Sequence, residues 1–294
     1  LLRSLPDGRF EAEDLLDDDG LGARDIPIRA ALTIAGDEAV VDLTGSSVQV
    51  EGPLNAVTAV TVSAILYALR CIAPEGAPAS TGLLRPIRVV APEASIVNAR
   101  FPAPVAGGNV ETSQRIVDVL LQALAQVLPE RIPACSQGTM NNVAMGGDDP
   151  EPWAYYETLG GGTGGGPGFQ GESALHSHMT NTLNTPVEAL EHACPLRVET
   201  MRIRRGSGGS GRWRGGEGLE RAYRVLAPTE VTLLSERRRQ GPPGMAGGEP
   251  GLAGENLLLR GDEKIDLPGK VTLQALPGDL LVIRTPGGGG HGRA

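Results

Sequence analysis

Tyr155-Tyr-Glu-Thr-Leu-Gly-Gly-Gly-Thr-Gly-Gly-Gly-Pro-Gly168, followed by Phe169-Gln-Gly-Glu-Ser-Ala-Leu-His-Ser-His-Met-Thr-Asn-Thr-Leu-Asn-Thr-Pro-Val-Glu-Ala-Leu-Glu-His192, holds three of the four histidines of the chain. Six of the seven residues from Gly160 to Gly166 are glycine. Such a run lets backbone approach a ligand closely and carries a high entropic cost on ordering, so it reads as a functional loop. His176 and His178 are one residue apart, and in an extended strand that pair projects from one face. Two readings stay open on spacing alone: a pair that flanks a substrate or binds a metal, or two hydrogen-bonded histidines beside a flexible loop. Thr180, Asn181, Thr182, Asn184 and Thr185 are neutral hydrogen-bonding side chains suited to a substrate pocket or a tight turn. Thr185-Pro-Val-Glu188 reads as a capping box with proline at the first helical position. The segment is therefore expected to run loop, strand, turn, helix.

Working outward, the 294 residues suffice for a substantial core and about two domains. Aromatics are 3%, while 42 glycines and 23 prolines are spread among apolar periodic segments, which describes loops on a globular scaffold. A formal charge of −9 argues against nucleic acid as the main partner. Cys71, Cys135 and Cys194 form no C-x-x-C pair, which speaks against a disulfide framework and fits the cytoplasm. No apolar run reaches the length of a membrane helix, and no signal peptide opens the chain. The opening Leu-Leu-Arg-Ser-Leu-Pro-Asp-Gly reads as the end of a helix, so the chain is expected to be a cut through a larger protein.

Seven acids lie between Asp7 and Asp19. A calcium loop would place Glu six residues after Gly20, where Ile26 stands, so a solvated acidic turn is expected. Ile26, Ile28, Ala30, Leu32 and Ile34 alternate toward the turn at Gly36-Asp37, and Ala39 to Leu43 runs back as a β-hairpin. Asn55 to Ile72 reads as a buried helix with Asn55 as N-cap, and Ile87 to Ala91 as a strand. Ile116, Leu120, Leu124 and Val127 recur at helical spacing, with Asn109 as the expected N-cap and Glu111 complementing the dipole. Gly107-Gly108 would also let a ligand sit at that helix start. Gln137, Thr139, Asn141 and Asn142 are amide and hydroxyl groups suited to an amide- or imide-like ligand, whereas Cys135 reads as a small buried residue.

After Cys194, six short strands separated by Gly/Pro turns are expected: 196–203, 221–226, 231–234, 256–260, 271–275 and 280–284. Gly206, Gly208 and Gly211 match a dinucleotide fingerprint, but Arg212-Trp-Arg-Gly-Gly216 cannot open the helix it needs. Arg197 to Arg239 carries 11 arginines against 5 acids, which fits subunit contact or phosphate binding better than RNA binding in so acidic a chain. No P-loop is present. The fold class is α+β, a mixed β-rich architecture with a few buried helices and long glycine-rich loops. Residues 1–195 are expected to form an α+β portion and 196–294 a mainly β portion packed on it.

Several motifs together resemble the hydantoinase B family: Gly-Gly-Asn-Val-Glu-Thr-Ser (107–113), Ser-Gln-Gly-Thr-Met-Asn-Asn (136–142), Tyr-Tyr-Glu-Thr with the glycine run (155–166) and His-Ser-His-Met-Thr-Asn-Thr-x-Asn-Thr-Pro (176–186). Arg-Arg-Gly-Ser-Gly-Gly-Ser-Gly-x-x-x-Gly-Gly (204–216), Leu-Leu-Ser-Glu-Arg-Arg (233–238) and the terminal Thr-Pro-Gly-Gly-Gly-Gly add to them. The resemblance implies a B-type subunit or fragment of an ATP-dependent hydrolase opening hydantoin- or 5-oxoproline-like cyclic amides. ATP and Mg would be held by a hydantoinase A-like partner that activates a substrate oxygen by phosphorylation, in a hetero-oligomer without nucleic acid or membrane. Alternatives are a subunit of an acetone- or acetophenone-type carboxylase, or a non-catalytic assembly module. The family carries a further N-terminal portion, so this chain would lack part of the active site and be weak or inactive alone. On this reading His176, His178 and Glu157 are catalytic, and Asn109, Glu111, Gln137, Thr139, Asn141, Asn142, Tyr155 and Asn181 bind substrate. The Gly160–Gly168 loop would close over the site, and a metal in this chain is left open.

Overall fold

A computed structural model describes residues 1–77, 80–149 and 151–294. The chain divides into two compact units, Leu1–Ile132 and Pro133–Ala294. In the first, β1 (Gly8–Asp18), β2 (Arg24–Ala35), β3 (Glu38–Asp42) and β4 (Ile87–Val90) form one sheet in that order, antiparallel except for the parallel β3–β4 pair. The alternation read at 26–34 is the core face of β2, since Ile26, Ile28, Ala30, Leu32 and Ile34 are all buried. The acidic segment is a strand rather than a solvated turn. Its exposed acids Glu11 and Glu13 occupy alternate positions, Glu13 pairs with Arg29 across the ladder, and the other face packs inward. Buried Asp19 closes the turn by accepting the amides of Leu21, Ala23 and Gly52. Burial pushes its carboxyl up, and these amides outweigh that and hold it below its ordinary value.

Two helices complete this unit, α1 (Thr58–Ile72) and α2 (Ser113–Ala125), with α2 packed on β1 and β2. Neither expected cap is used. Asn55 spends its amide on Val50, Gly52 and Pro104, and α1 begins after Val57 without a side-chain cap. Ahead of α2 the backbone coils as a π turn, Gly108–Thr112, so Asn109 lies within the helical run instead of at its end. Gly108 is required there, because a Cβ would lie 2.0 Å from the Asn55 carbonyl oxygen.

The second unit is a sandwich. One sheet has the order β11 (Glu263–Leu267), β10 (Glu255–Arg260), β13 (Leu280–Arg284), β8 (Gly218–Val225), β7 (Leu196–Arg204). The other runs β12 (Lys270–Ala275), β9 (Thr229–Leu234), β5 (Asn142–Gly147), β6 (Trp153–Thr158), and every pairing in both is antiparallel. Val143, Val231, Leu233, Tyr223, Leu281 and Ile283 from the two sheets share one core, with Leu190 of α3 (Val187–Ala193). The α+β, β-rich class is as expected. The two compact units meet at Ile132/Pro133, and β9, after residue 195, pairs with β5, before it. No helix among the described residues is long and apolar enough to cross a membrane.

The glycine-rich segments fill the remainder of this unit. Gly162 donates to the Pro286 carbonyl, Gly216 to Thr163, Gly288 to Gly216 and Gly165 to Gly289. Backbones approach so closely that a Cβ on Gly164 would lie 1.7 Å from the Ala134 carbonyl oxygen, and one on Gly216 1.8 Å from that of Glu172. The run 160–166 is buried except at the partly exposed Thr163, so it is interior and not a flap over a site. The terminal glycines likewise lie inside, and His291 is buried with its ring 5.6 Å from that of Trp213.

Candidate functional site

β6 carries Tyr155 and Glu157 on alternate residues, which turns both toward the interior of the sandwich. Glu157 is 4% exposed, and both its oxygens are engaged. Oε1 accepts the Thr185 amide at 2.9 Å and Oε2 the Tyr223 hydroxyl at 2.6 Å, with Arg221 Nε 3.4 Å from Oε2. Arg221 is fully buried, and its guanidinium sits 5.2 Å from the Tyr223 ring centroid. Burial pushes the Tyr155 and Tyr223 phenols up, with the Glu157 carboxylate adding to both, so each remains a proton donor at neutral pH. Thr185 therefore does not cap α3: its amide is held by Glu157, and the helix begins after Pro186 with no side-chain cap. Glu157 thus ties the Thr185 backbone, the Tyr223 hydroxyl and the Arg221 guanidinium together.

His176 stands beside this cluster. Its Nδ1 lies 3.4 Å from Thr180 Oγ1 and its Nε2 3.3 Å from Thr182 Oγ1, while Thr182 shares a 2.6 Å hydrogen bond with Thr158 at the end of β6. Burial holds the imidazole below its ordinary value, and Glu157 pulls the other way. The half-buried ring is thus neutral at pH 7, loosely held by hydroxyls, and able to accept a proton. The expected strand is absent. Leu175 makes a single bridge to Gly161, and His178 adopts a left-handed conformation (φ 57°) in the following turn, so the two histidines do not share a strand face.

The segment 137–142 joins the same neighbourhood. Gln137 Nε2 is 3.5 Å from the Leu175 carbonyl, one residue before His176, and its Oε1 accepts from Asn141 Nδ2 at 2.7 Å. Asn141 also donates to the Leu159 carbonyl and accepts from Arg238 at 2.9 Å. Thr139 Oγ1 accepts the amides of Asn141 and Glu236. Asn142, paired with Thr158 in the β5–β6 register, donates to the Leu234 carbonyl and accepts from the Tyr156 hydroxyl at 2.6 Å. These groups are buried and bonded to the protein itself, and Gln137 ties the segment to the backbone beside His176.

His176, Glu157, Tyr155, Gln137, Thr139, Asn141 and Asn142 are thus gathered in one part of the second unit. Asn181 is exposed, and Asn109 and Glu111 belong to the first unit, Asn109 exposed and Glu111 buried. Sequence reasoning missed Arg221, Tyr223 and Arg238. A signal existed for the first two: Leu219, Arg221, Tyr223 and Val225 occupy one face of β8, and an arginine in an apolar stripe demands a buried carboxylate. Among the described residues no group of three or more His, Cys, Asp or Glu side chains is arranged to hold a metal ion.

The hydantoinase B/oxoprolinase family model matches residues 1–294. The chain is 42% identical to 5-oxoprolinase 1 of Arabidopsis thaliana over 286 residues, which is 96% of this chain and 21% of that protein. It is 43% identical to the 5-oxoprolinase of Dictyostelium discoideum over 256 residues, which is 87% of this chain and 20% of that protein. The ATP-dependent caprolactamase of Pseudomonas jessenii superposes with a TM-score of 0.87 at 26% identity, covering 99% of this chain and 53% of the caprolactamase chain. The chain thus spans about a fifth of the length of the two oxoprolinases and about half that of the caprolactamase chain.

Proposed function

The chain belongs to the hydantoinase B/oxoprolinase family, and from that premise we propose that it supplies the ring-opening part of an ATP-dependent cyclic amide hydrolase. Its substrates on this reading are hydantoin- or 5-oxoproline-like rings, and the enzyme is a cytoplasmic hetero-oligomer. ATP with Mg is held by a hydantoinase A-like partner and supplies activation of a substrate oxygen. The observation that supports this reading is His176, neutral and half-buried beside the charged Glu157–Arg221 pair. Neutral imidazole takes a proton from the attacking water as oxygen bonds to the ring carbon and returns it to the ring nitrogen as the carbon–nitrogen bond breaks; the phosphorylated oxygen stays on that carbon as an acyl phosphate, which a second water hydrolyses to carboxylate and inorganic phosphate. Glu157 stabilises the imidazolium in between. Tyr155, His178 and the Gln137–Asn142 segment orient the ring, with Asn181 at its margin.

The test is turnover of hydantoin and 5-oxoproline with ATP by the full-length enzyme and its partner, with acetone and acetophenone plus bicarbonate in parallel. The proposal expects ring opening coupled to ATP hydrolysis, whereas ketone carboxylation alone contradicts it. In the active enzyme His176→Ala is expected to lower kcat by roughly 10²-fold or more with an unchanged unfolding midpoint. A fall in stability at unchanged kcat would make His176 a packing residue.

A further inference from the structure

β7, one of the two edge strands of the five-stranded sheet, carries arginines the site above does not use. Arg202 faces Glu220 on β8, Glu220 faces Arg284 on β13, and Arg284 faces Glu255 on β10, a single row of alternating charge across four strands. Arg202 Nη2 is 2.6 Å from Glu220 Oε1 and Arg284 Nε 2.7 Å from Oε2. Arg284 Nη1 is 2.9 Å from Glu255 Oε2, and Arg204, only 12% exposed in its side chain, reaches Glu255 Oε1 at 2.5 Å. All four carboxylate oxygens of Glu220 and Glu255 are therefore taken. Arg205, next along the chain, has no carboxylate partner among the described residues.

Four arginines stand against two carboxylates, leaving two positive charges around a cavity of about 600 Å³ lined by Arg202, Arg204, Arg205, Glu220 and Arg284. A sheet-stabilising ladder needs only charge balance, and a chain of net charge −9 has no general surplus of cations to place here. Burial pushes the Arg204 guanidinium down, and crowding by Arg284 adds to this against the pull of Glu255, a repulsion that a bound anion would relieve. Guanidinium forks match phosphate oxygens two at a time, and the volume suits a small ligand.

We propose that this cavity binds the dianionic phosphate group of a small molecule, held by Arg202, Arg205 and Arg284 with Arg204 behind them. The source is either free phosphate or a phosphate monoester. Calorimetric titration of the full chain at low ionic strength with inorganic phosphate, and separately with adenosine monophosphate, tests it. One saturable site per chain is expected, weakened about tenfold or more in the Arg202→Ala/Arg205→Ala double variant, with cooperative unfolding retained because both side chains are exposed and Glu220 keeps Arg284 as its partner. Tighter binding of the monophosphate identifies a monoester, and equal or tighter binding of inorganic phosphate identifies the free ion. No saturable binding to the wild type, equal binding by the variant, or equal displacement by equimolar chloride overturns the proposal.

Discussion

The sandwich core and the glycine block of the second unit both exclude water, and they do so with opposite materials. In the sandwich, Val143, Val231 and Leu281 are fully buried, and stability comes from removing apolar surface from water. In the glycine block there is almost no side chain to bury. Extended backbone lies against extended backbone, and the carbonyls of Pro286, Thr163, Gly216 and Gly289 accept from glycine amides. Such a block satisfies its polar groups internally, at the high entropic cost of ordering glycine. The two designs should fail differently: an apolar core loses stability in proportion to what is removed, while a backbone-packed core fails when anything is added.

The sharpest contrast is Gly164→Val. Its Cβ would fall 1.7 Å from a backbone oxygen that no rotamer can move, so the cost should exceed about 4 kcal/mol and abolish the cooperative unfolding transition of the unit. By comparison, Gly168→Ala, at positive φ but with nothing within 4 Å, should cost about 1 kcal/mol. Equal urea midpoints for the two variants would break the comparison. Next comes truncation in the sandwich, where Leu281→Ala should cost about 3 kcal/mol yet leave a folded protein with a lower midpoint.

A smaller effect belongs to Glu217, whose Oε2 accepts the amides of Ser207 at 2.6 Å and Gly208 at 3.0 Å and so holds one glycine segment. Burial alone would push this carboxyl up. The amides of Gly208, Ser207 and Gly206 outweigh it and hold it below its ordinary value of about 4.3. Because the folded value is depressed, the stabilisation is fully present above pH ~4.3 and is lost as pH falls through the folded value. Glu217→Gln should therefore cost about 1–2 kcal/mol at pH 7, partial exposure limiting it. The difference should vanish in acid, and a cost independent of pH would exclude the charge as its origin.

The same contrast explains what the sequence disclosed. The six strands expected after Cys194 all formed, because Val198, Val231 or Leu281 recur with period two against polar neighbours. β5, which ends in Gly-Gly, β6 and the charged β11 carry too little apolar alternation to stand out. β1 was obscured by acids whose alternation is the outward face of a strand. The Glu157, Gln137 and Asn141 part of the site was legible as residue types, whereas their partners Arg221 and Arg238 lie 64 and 97 residues away along the chain. Least legible was the glycine block, since a run of glycine has no periodicity to report which backbone it packs against. Its composition suggests mobility, and its burial makes it a frame.

That the frame is rigid and fixes His176, through the Gly161–Leu175 bridge and the bond of Gln137 to Leu175, is the claim on which the rest depends. Native-state hydrogen exchange at the amides of Gly161, Gly162, Thr163 and Gly165, each bonded to a backbone carbonyl, tests it directly. Protection within about 1 kcal/mol of that at Val231 and Leu281 in the sandwich is the predicted result. Exchange of these amides at rates near those of an unstructured chain, with the sandwich still protected, would contradict it and restore the glycine run as a mobile lid.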